Sequence, residues 1–171
     1  DSTQGWINTM DSTSNVRGTA PLVVASGGTI TEDGDFKIHT FNSPGTFTVC
    51  SVADCASNNV VDYVVVAGGG GGGAGFSSGA GGGGGGGFRY YANTTNNPQA
   101  CGPALPLNNF PSGTAITVTA ASFPITVGAG GAQAPNSPST VASNGVNSTF
   151  GPVTSAGGGG GGSEGSGYQG A

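Results

Sequence analysis

The sequence contains very little charge. Three Lys or Arg residues and eight Asp or Glu residues are spread over 171 positions, and the formal net charge is −5. A protein that binds nucleic acid needs a cluster of basic side chains to neutralise phosphates, and Arg17, Lys37 and Arg89 cannot supply one. The chain also lacks a stretch of about 18 apolar residues, the length that a membrane-spanning helix requires. We therefore expect neither a nucleic-acid partner nor a membrane span.

Side chains suited to catalysis or metal binding are equally scarce. His39 is the only histidine, and it follows Lys37 in an alternating run, where we expect an exposed strand residue and not a catalytic base. The acidic group at 32–35 lacks the later ligands of a calcium loop and is better explained as a hairpin turn. No Cys and His cluster and no glycine-rich nucleotide motif is present. The sequence thus predicts a non-enzymatic protein without a cofactor or a metal.

The cysteine count is odd. Cys50, Cys55 and Cys101 are the three cysteines of the chain, so one thiol is left over or forms an intermolecular bridge. A Cys50–Cys55 disulfide is locally plausible, a Cys55–Cys101 disulfide would join two loops, and three unpaired thiols are the third alternative. The sequence leaves these alternatives open.

Helical periodicity is absent as well, and the clearest strand signals lie in the first part of the chain. Residues 36–41 alternate, with Phe36 and Ile38 opposite Lys37 and His39, and residues 46–49 alternate again. Asp-Gly and Pro-Gly pairs supply the turns. Residues 60–66 end in a run that is apolar on both faces, which predicts a central, buried strand. We predict an extended connector at 1–20, a small antiparallel sheet or sandwich over 21–66, and essentially no α-helix.

Glycine is the residue in excess, at 37 of 171 positions, about three times its average share. It is concentrated in runs at 68–73, 81–87, 128–131 and 157–162. Two of the long runs follow a β-like stretch through a single alanine, and such repetition favours a stacked architecture over a flexible linker. A run of this kind can form polyglycine II, a left-handed threefold helix whose N–H and C=O groups point outward to neighbouring helices.

A single polyglycine II helix is not expected to be stable. Ordering a residue costs about 1–2 kcal/mol of backbone entropy, whereas a net hydrogen bond contributes about 0.5–1.5 kcal/mol. We therefore predict a bundle of such helices over 67–171, anchored by strands, with loops at 92–113 and 132–146. The predicted glycine core consists of Gly68, Gly69, Gly70, Gly71, Gly72, Gly73, Gly81, Gly84, Gly87, Gly128, Gly130, Gly157, Gly160 and Gly162.

Four large side chains lie close to or within the predicted loops, namely Tyr90, Tyr91, Leu105 and Phe110. As an exposed group they would contact a receptor or a partner protein. Alternatively they seal the glycine lattice or a subunit interface, and this second interpretation is slightly favoured.

Several motifs occur together in a fixed order. They are Gly27-Gly28-Thr29-Ile30, the stretches at 36–41 and 45–49, Val61-Asp62-Tyr63-Val64-Val65-Val66-Ala67-Gly68, the stretch at 125–130 and Asn147-Ser148-Thr149-Phe150-Gly151. Over roughly residues 25–165 they resemble the glycine-rich domain of tail-fibre and other virion structural proteins of tailed bacteriophages. The chain also looks distantly like the receptor-binding adhesins at the tips of T-even phage long tail fibres. In that family stacked polyglycine II helices form a rigid core, and the loops between them touch the receptor. The β-rich first part and the three cysteines depart from the adhesin pattern.

The resemblance implies a segment of a virion structural or fibre protein, at the virion surface, whose rigid glycine-rich domain displays loops for host attachment or fibre assembly. The expected partners are other virion or filament subunits, further copies of the chain in a homo-oligomer, and a host receptor that is a glycan or an outer-membrane protein. The alternative is a microbial extracellular or cell-surface filament or adhesin subunit. An ice-binding protein is a third class, and the lack of a regular Gly-x-x register argues against it.

Overall fold

The computed structural model describes residues 22–34, 36–75, 79–92, 114–135 and 140–163. In these ranges the chain forms short β-strands and a 3-10 turn at Ala56–Asn59, and no α-helix. The predicted antiparallel β structure is confirmed, while the predicted connector at 1–20 lies outside the described residues. The strands are β1 (Val24–Ser26), β2 (Thr29–Asp33), β3 (Phe36–Thr40), β4 (Gly45–Ser51), β5 (Val60–Val61), β6 (Tyr63–Val66), β7 (Phe88–Tyr91), β8 (Ile116–Thr117), β9 (Ser122–Thr126), β10 (Ser148–Phe150) and β11 (Val153–Ser155).

The largest sheet has five antiparallel strands in the order β1-β4-β9-β10-β11. Three of these strands come from the chain beyond residue 67, where the sequence predicted only the glycine region. The β structure therefore extends past the expected 21–66 stretch. β4 pairs with β1 on one side and with the distant β9 on the other, so the two parts of the chain share one sheet.

The hydrophobic core lies between this sheet and two strand pairs, β5–β8 and β6–β7. Phe150 is at its centre, with its ring centroid 5.9–6.2 Å from those of Phe47, Tyr63 and Phe123. Such edge-to-face aromatic contacts add to the transfer free energy of about 1.5–3 kcal/mol for burying one large apolar side chain. The buried members of the core are Phe47, Val49, Tyr63, Val65, Ile116, Val118, Phe150 and Val153.

The strand predicted over 60–66 differs from the expectation. The chain breaks at Asp62 into β5 and β6, and only alternate residues of β6 face the core. Val64 and Val66 are 56% and 55% exposed. β6 pairs with β7 alone, in a two-stranded sheet, so it is not a central strand, and its outward side chains stay more than half exposed. The prediction of a strand buried on both faces is therefore wrong.

The hairpin turn predicted at 32–35 is confirmed, because β2 pairs with β3 across it and Gly34 has φ of 57°. The burial of its residues differs from the expectation, because only His39 of β3 is partly buried. Phe36 and Ile38 are 48% and 43% exposed, whereas His39 is half-buried. The His39 ring meets that of Phe47 edge-on at 5.1 Å, and its Nδ1 lies 2.8 Å from the Gly27 carbonyl oxygen. The prediction of an exposed His39 is wrong, because its ring lies against that of Phe47 in β4.

The Cys50–Cys55 disulfide, one of the alternatives left open by the sequence, is not formed. Both thiols are free and exposed, because Cys50 lies near the end of β4 on its exposed side and Cys55 precedes the 3-10 turn. The Sγ of Cys55 lies 3.1 Å from the Oγ of Ser57. Hydrogen bonding from the Ser57 side chain, and then from backbone groups, lowers the pKa of the Cys55 thiol below its ordinary value. Cys101 lies outside the described residues.

Candidate functional site

Five segments of extended backbone leave the β structure. Segment I (67–74) follows β6, segment II (81–87) precedes β7, segment III (128–134) lies after β9, segment IV (140–147) precedes β10 and segment V (156–163) follows β11. Each segment is thus attached at one end to a strand. The packing of the strands therefore fixes where the five backbones run relative to one another.

The segments are joined by backbone hydrogen bonds at every third residue, with N···O distances of 2.7–3.1 Å. This spacing differs from the two-residue repeat of a β ladder and from the i to i−4 pattern of an α-helix. The N–H groups of segment I bond segment II in this way: Ala67 to Gly87, Gly70 to Gly84 and Gly73 to Gly81.

Segment I has four neighbours. Its N–H groups also bond segment IV, and its carbonyl oxygens accept hydrogen bonds from segments III and V. It runs antiparallel to segments II and IV and parallel to segments III and V. The neighbours are linked to one another as well. Segment II donates hydrogen bonds to V, and segment IV donates hydrogen bonds to both V and III. Around segment I they therefore follow the order II, V, IV, III.

The ring around segment I is open between segments II and III. A Cβ built on Gly72 of segment I would meet no atom within 4 Å, and the same holds for Gly82 and Gly85 of segment II. A Cβ on Gly69 would reach its nearest atom, a carbonyl oxygen, only at 3.5 Å. These four glycines define what we call the open face.

Most other glycines of the segments have no room for a side chain. A Cβ on Gly70 would lie 1.9 Å from the carbonyl oxygen of Gly159, and a Cβ on Gly158 would lie 2.2 Å from that of Gly84. The described glycines with positive φ all lie outside the segments. Glycine is therefore required here by the close approach of two backbones and not by an unusual conformation of one backbone.

Two asparagines of segment IV extend the network with their side chains. The Oδ1 of Asn144 accepts a hydrogen bond from Gly160 N at 2.7 Å, and the Oδ1 of Asn147 accepts one from Gly157 N at 2.9 Å. The two asparagines are three residues apart, as are their partners in segment V. Their side chains thus supply acceptors to backbone N–H groups for which the described chain offers no neighbouring carbonyl.

Two buried serine hydroxyls bond backbone groups of the segments, one next to the strands and one at the end far from the strands. Ser148 Oγ, next to the strands, accepts from Gly128 N at 2.9 Å. Ser163, at the far end, accepts from Ala74 N at 3.1 Å through Oγ, and this hydroxyl donates to the carbonyl of Thr140. Ser148 is 3% and Ser163 is 6% exposed. A hydroxyl can bond two backbone groups at once, which suits a position where a segment enters or leaves the group.

The glycines predicted as a structural core all lie in the segments. Most of them either form a hydrogen bond to a neighbouring segment or leave no room for a Cβ beside that segment. These glycines are Gly68, Gly70, Gly71, Gly73, Gly81, Gly84, Gly87, Gly128, Gly157, Gly160 and Gly162. Gly69 and Gly72 accept from segment III but border the open face, and a Cβ on Gly130 would meet its nearest atom at 3.6 Å.

Segment IV was missed by the sequence prediction, which placed 132–146 in a loop. In the structure Ala142, Ser143, Gly145 and Val146 donate backbone hydrogen bonds within the network. The signal was weak, because the segment contains a single glycine. It was present as a three-residue repeat of small, buried or half-buried positions, Ala142, Gly145 and Ser148.

Two of the predicted contact residues, Tyr90 and Tyr91, lie on opposite faces of the β6–β7 ribbon. Tyr91 stacks on Tyr63 at 6.0 Å, on the core side, where Tyr63 donates a hydrogen bond to the Thr114 carbonyl at 2.9 Å. Burial raises the pKa of Tyr63. Tyr90 stacks on Phe88 at 6.4 Å on the outer side. Leu105 and Phe110 lie outside the described residues.

The outer side of the ribbon is apolar. Val64, Val66 and Phe88 are 43–56% exposed, and cross-strand pairing places Tyr90 beside Val64. We call these four residues the ribbon face. Segments I and II continue directly from β6 and into β7, so the ribbon face and the open face follow one another along the same two stretches of chain.

Charge and metal-binding groups are absent from this part of the molecule. The five segments contain no Asp, Glu, Lys, Arg or His, and the described residues include no group of three His, Cys, Asp or Glu side chains that would hold a metal ion. Within the same residues, no helix is long and apolar enough to cross a membrane. The arrangement presents backbone hydrogen-bonding groups and apolar surface, which suit packing and docking.

Comparison with protein families matches residues 40–171 to the model of a glycine-rich domain. The match includes all five segments and β4 to β11. No curated protein and no solved structure matches the chain.

Proposed function

Because the chain belongs to the glycine-rich domain family, we propose that its five segments form a polyglycine II bundle with a mechanical role. In this proposal the bundle is a rigid element of a virion fibre, and it displays the connecting loops for host attachment or fibre assembly. The chain would then work without catalysis, at the virion surface, among other virion subunits.

The hydrogen-bond repeat of three supports the bundle. Polyglycine II has three residues per turn, a rise of about 3.1 Å and no internal hydrogen bonds, so each N–H group must bond a neighbouring helix. The segments meet these requirements where neighbours are present, as in the bonds Gly158 to Gly68 and Gly161 to Gly71 at 2.9 and 2.8 Å. At that rise a run of six or seven glycines spans about 20 Å.

Rigidity follows from the way the bundle is held. Each segment continues from a strand whose side chains are locked in the core, and each internal segment is bonded on several sides. Each pair of neighbouring segments shares two or three backbone hydrogen bonds, so neither the distance nor the register between them can change without breaking several bonds together. Such an element transmits force and holds loops in fixed positions, which are the tasks of a fibre segment.

The displayed parts in this proposal are the connections between segments. The ends of segments I and III that are far from the strands lead into the connections to segments II and IV. The longest connection, between β7 and β8, covers the predicted loop at 92–113 with Leu105 and Phe110. A host receptor, a glycan or an outer-membrane protein, would be contacted there.

Amide hydrogen exchange tests the bundle. The amides of Gly71, Gly158 and Gly161 each donate to a backbone carbonyl, and we expect them to exchange at least about a hundredfold more slowly than in an unstructured chain, since local opening must precede exchange. Random-coil rates at all three amides would show that the runs are linkers.

The role is tested by immunogold electron microscopy on the organism or phage lysate that produces the protein. Labelling of tail appendages on particles would support the virion proposal. Labelling of filaments on cells would instead support the alternative, a cell-surface filament or adhesin subunit. Label confined to soluble material would contradict both.

A further inference from the structure

Segment V is bonded along its whole length. Each residue from 156 to 162 donates or accepts a backbone hydrogen bond with segment I, II or IV. Ser163 completes the segment, since its buried hydroxyl bonds Ala74 and Thr140. The segment is therefore held on three sides and at every level, and not at its ends alone.

The hydrogen bonds of segment V lie across its axis. In polyglycine II the N–H and C=O groups point outward from the helix, and no bond runs along it. Segment II, for example, bonds segment V at three levels, through the N–H groups of Gly81, Gly84 and Gly87. A pull along the axis of segment V strains all of these bonds at the same time, in shear. A pull across the axis opens them one after another.

The strand register shows where the chain enters and leaves the described structure. β4 begins with Gly45 opposite Ile125, near the start of segment III, and ends with Ser51 at the end of the sheet away from the segments. β1 runs antiparallel to β4, and its first residue, Val24, pairs with Ser51. The described chain therefore enters at the end of the sheet away from the segments, and it leaves through segment V at the opposite end of the molecule.

We propose that segment V is the anchor through which this domain carries tension along its long axis. A pull on the chain that follows Ser163 is resisted in shear by segments I, II and IV together. The proposal rests on the polyglycine II bundle and the mechanical role proposed above. Resistance to force depends in this proposal on one segment and on one direction of pull.

The strand end of segment V is fixed as well. The segment continues from β11, which pairs with β10 from Ser148 opposite Ser155 to Phe150 opposite Val153. Val153 and Ser155 are buried, and β10 pairs onward with β9 in the five-stranded sheet. Tension that passes along segment V thus reaches the sheet through a strand that is itself held by the core.

The other end of the described chain is held less firmly. Among the described strands β1 pairs with β4 alone, over three residues and with a shift of register. The β2–β3 hairpin follows, and its strand residues are exposed except for His39. A hairpin of two strands is at best marginally stable by itself. When the two ends of the chain are pulled apart, we expect residues 22–44 to extend first while segment V stays bonded.

Optical tweezers on the full chain test the anchor by comparing two directions of pull. One DNA handle follows Ala171 in both cases. The second is attached either at Cys50, which is exposed and free near the sheet end of β4, or at Gly79→Cys, where a built Cβ meets nothing within 4 Å. In each chain the other cysteines are replaced by serine. The Cys50 handle pulls segment V in shear, whereas the Gly79→Cys handle pulls segments II and V apart from their far ends.

At a constant force we expect segment V to detach roughly fivefold or more slowly under the Cys50 pull. The reason is that the three bonds to segment II must open together and not singly, and two additional hydrogen bonds contribute at least that factor. Equal lifetimes in the two directions, or a longer lifetime under the Gly79→Cys pull, would overturn the proposal.

A variant of one asparagine tests the same anchor under the Cys50 pull. Asn144→Ala removes the acceptor for Gly160 N of segment V, and the loss of one hydrogen bond should shorten the lifetime about two- to tenfold. The matched control is Val146→Ala, which shortens an exposed side chain of the same segment and should leave the lifetime unchanged. An unchanged lifetime in Asn144→Ala, or equal shortening in the control, would contradict the proposal.

Two further measurements separate the anchor from the bundle itself. With handles at both chain ends, the first extension should be at most roughly 80 Å, the extended length of residues 22–44, and a first extension that releases segment V would overturn the proposal. Without load, the amides of Gly71 and Gly161 should be protected from hydrogen exchange. If they are protected while both directions of pull give equal lifetimes, the bundle stands and the anchor fails. If neither is protected, the bundle fails first.

Discussion

The strands and the glycine segments of this molecule are held together by different parts of the chain. Between the strand layers, Phe47, Tyr63 and Phe150 are 8–9% exposed and fill the space with aromatic rings. Among the segments the buried side chains are small, such as those of Ala134 and Ala142, and at most of the glycines backbone N–H and C=O groups meet across distances that exclude even a Cβ. Removing side-chain volume should therefore damage the first region, whereas adding volume should damage the second.

The two regions are nevertheless linked through chain continuity. Each glycine segment is attached to a strand, and ordering glycine is entropically expensive. The strands reduce this cost by fixing one end of every segment in advance. We therefore expect the backbone-bonded region to form only when the side-chain core is intact.

The largest effect is expected for Phe150→Ala, which removes the ring at the centre of the aromatic cluster. Large-to-small changes of a buried Phe cost about 3–5 kcal/mol. Urea unfolding monitored by circular dichroism should show this loss, and the amides of Gly71 and Gly161 should lose protection together with the strands. Unchanged glycine protection in a destabilised Phe150→Ala variant would show that the segments do not depend on the core.

The opposite change tests the glycine segments. Gly70→Ala would bring a Cβ to 1.9 Å from the Gly159 carbonyl oxygen, and because a backbone cannot rotate aside, we expect destabilisation of about 1–3 kcal/mol or more. The matched control is Gly72→Ala, where the Cβ meets nothing within 4 Å. That variant should be neutral or more stable by about 0.4–1 kcal/mol, because alanine restricts the unfolded chain. Equal unfolding midpoints for the two variants would contradict the close approach.

A smaller loss of stability is expected where a side-chain oxygen, and not a backbone carbonyl, accepts the hydrogen bond of a segment. Asn144→Ala removes the acceptor for Gly160 N, and we expect a loss of about 0.5–1.5 kcal/mol in the free energy of unfolding. Asn144→Asp retains an acceptor oxygen. Above the pKa of the new carboxyl, its free energy of unfolding should therefore fall by less than that of Asn144→Ala. If alanine and aspartate are equivalent at neutral pH, the hydrogen bond to segment V is not important for stability.

The smallest effect concerns the thiols and does not involve stability. The hydrogen bond from Ser57 lowers the pKa of Cys55, so alkylation of Cys55 should reach half of its maximal rate at a pH below that of an unperturbed cysteine. Ser57→Ala should move this midpoint upward while Cys50 is unaffected. Peptide mapping by mass spectrometry reads out both sites, and a Cys50–Cys55 disulfide in the unreduced protein would contradict the structure.

Much of the fold was predictable where local chemistry decides. The Asp-Gly turn predicted the β2–β3 hairpin, and the glycine runs marked segments I, II and V. Which faces are covered was not predictable, as His39 and Val64 show. Alternation indicates that a strand has two different faces, but the identity of the covered face depends on strands far away in the sequence. Segment IV escaped prediction for the same reason, since its small residues matter only beside segments III and V.

The sequence by itself determined where side chains are missing, and hence which stretches can approach another backbone at hydrogen-bonding distance. It also determined the near absence of charge, which permits those stretches to pack. The tertiary structure alone decided that segment I lies among four others, that their order is II, V, IV, III, and that one side stays open. Glycine has no side chain that could make a specific contact with one neighbour and not another. The neighbours of each segment are therefore determined by the packing of the strands to which the segments are attached.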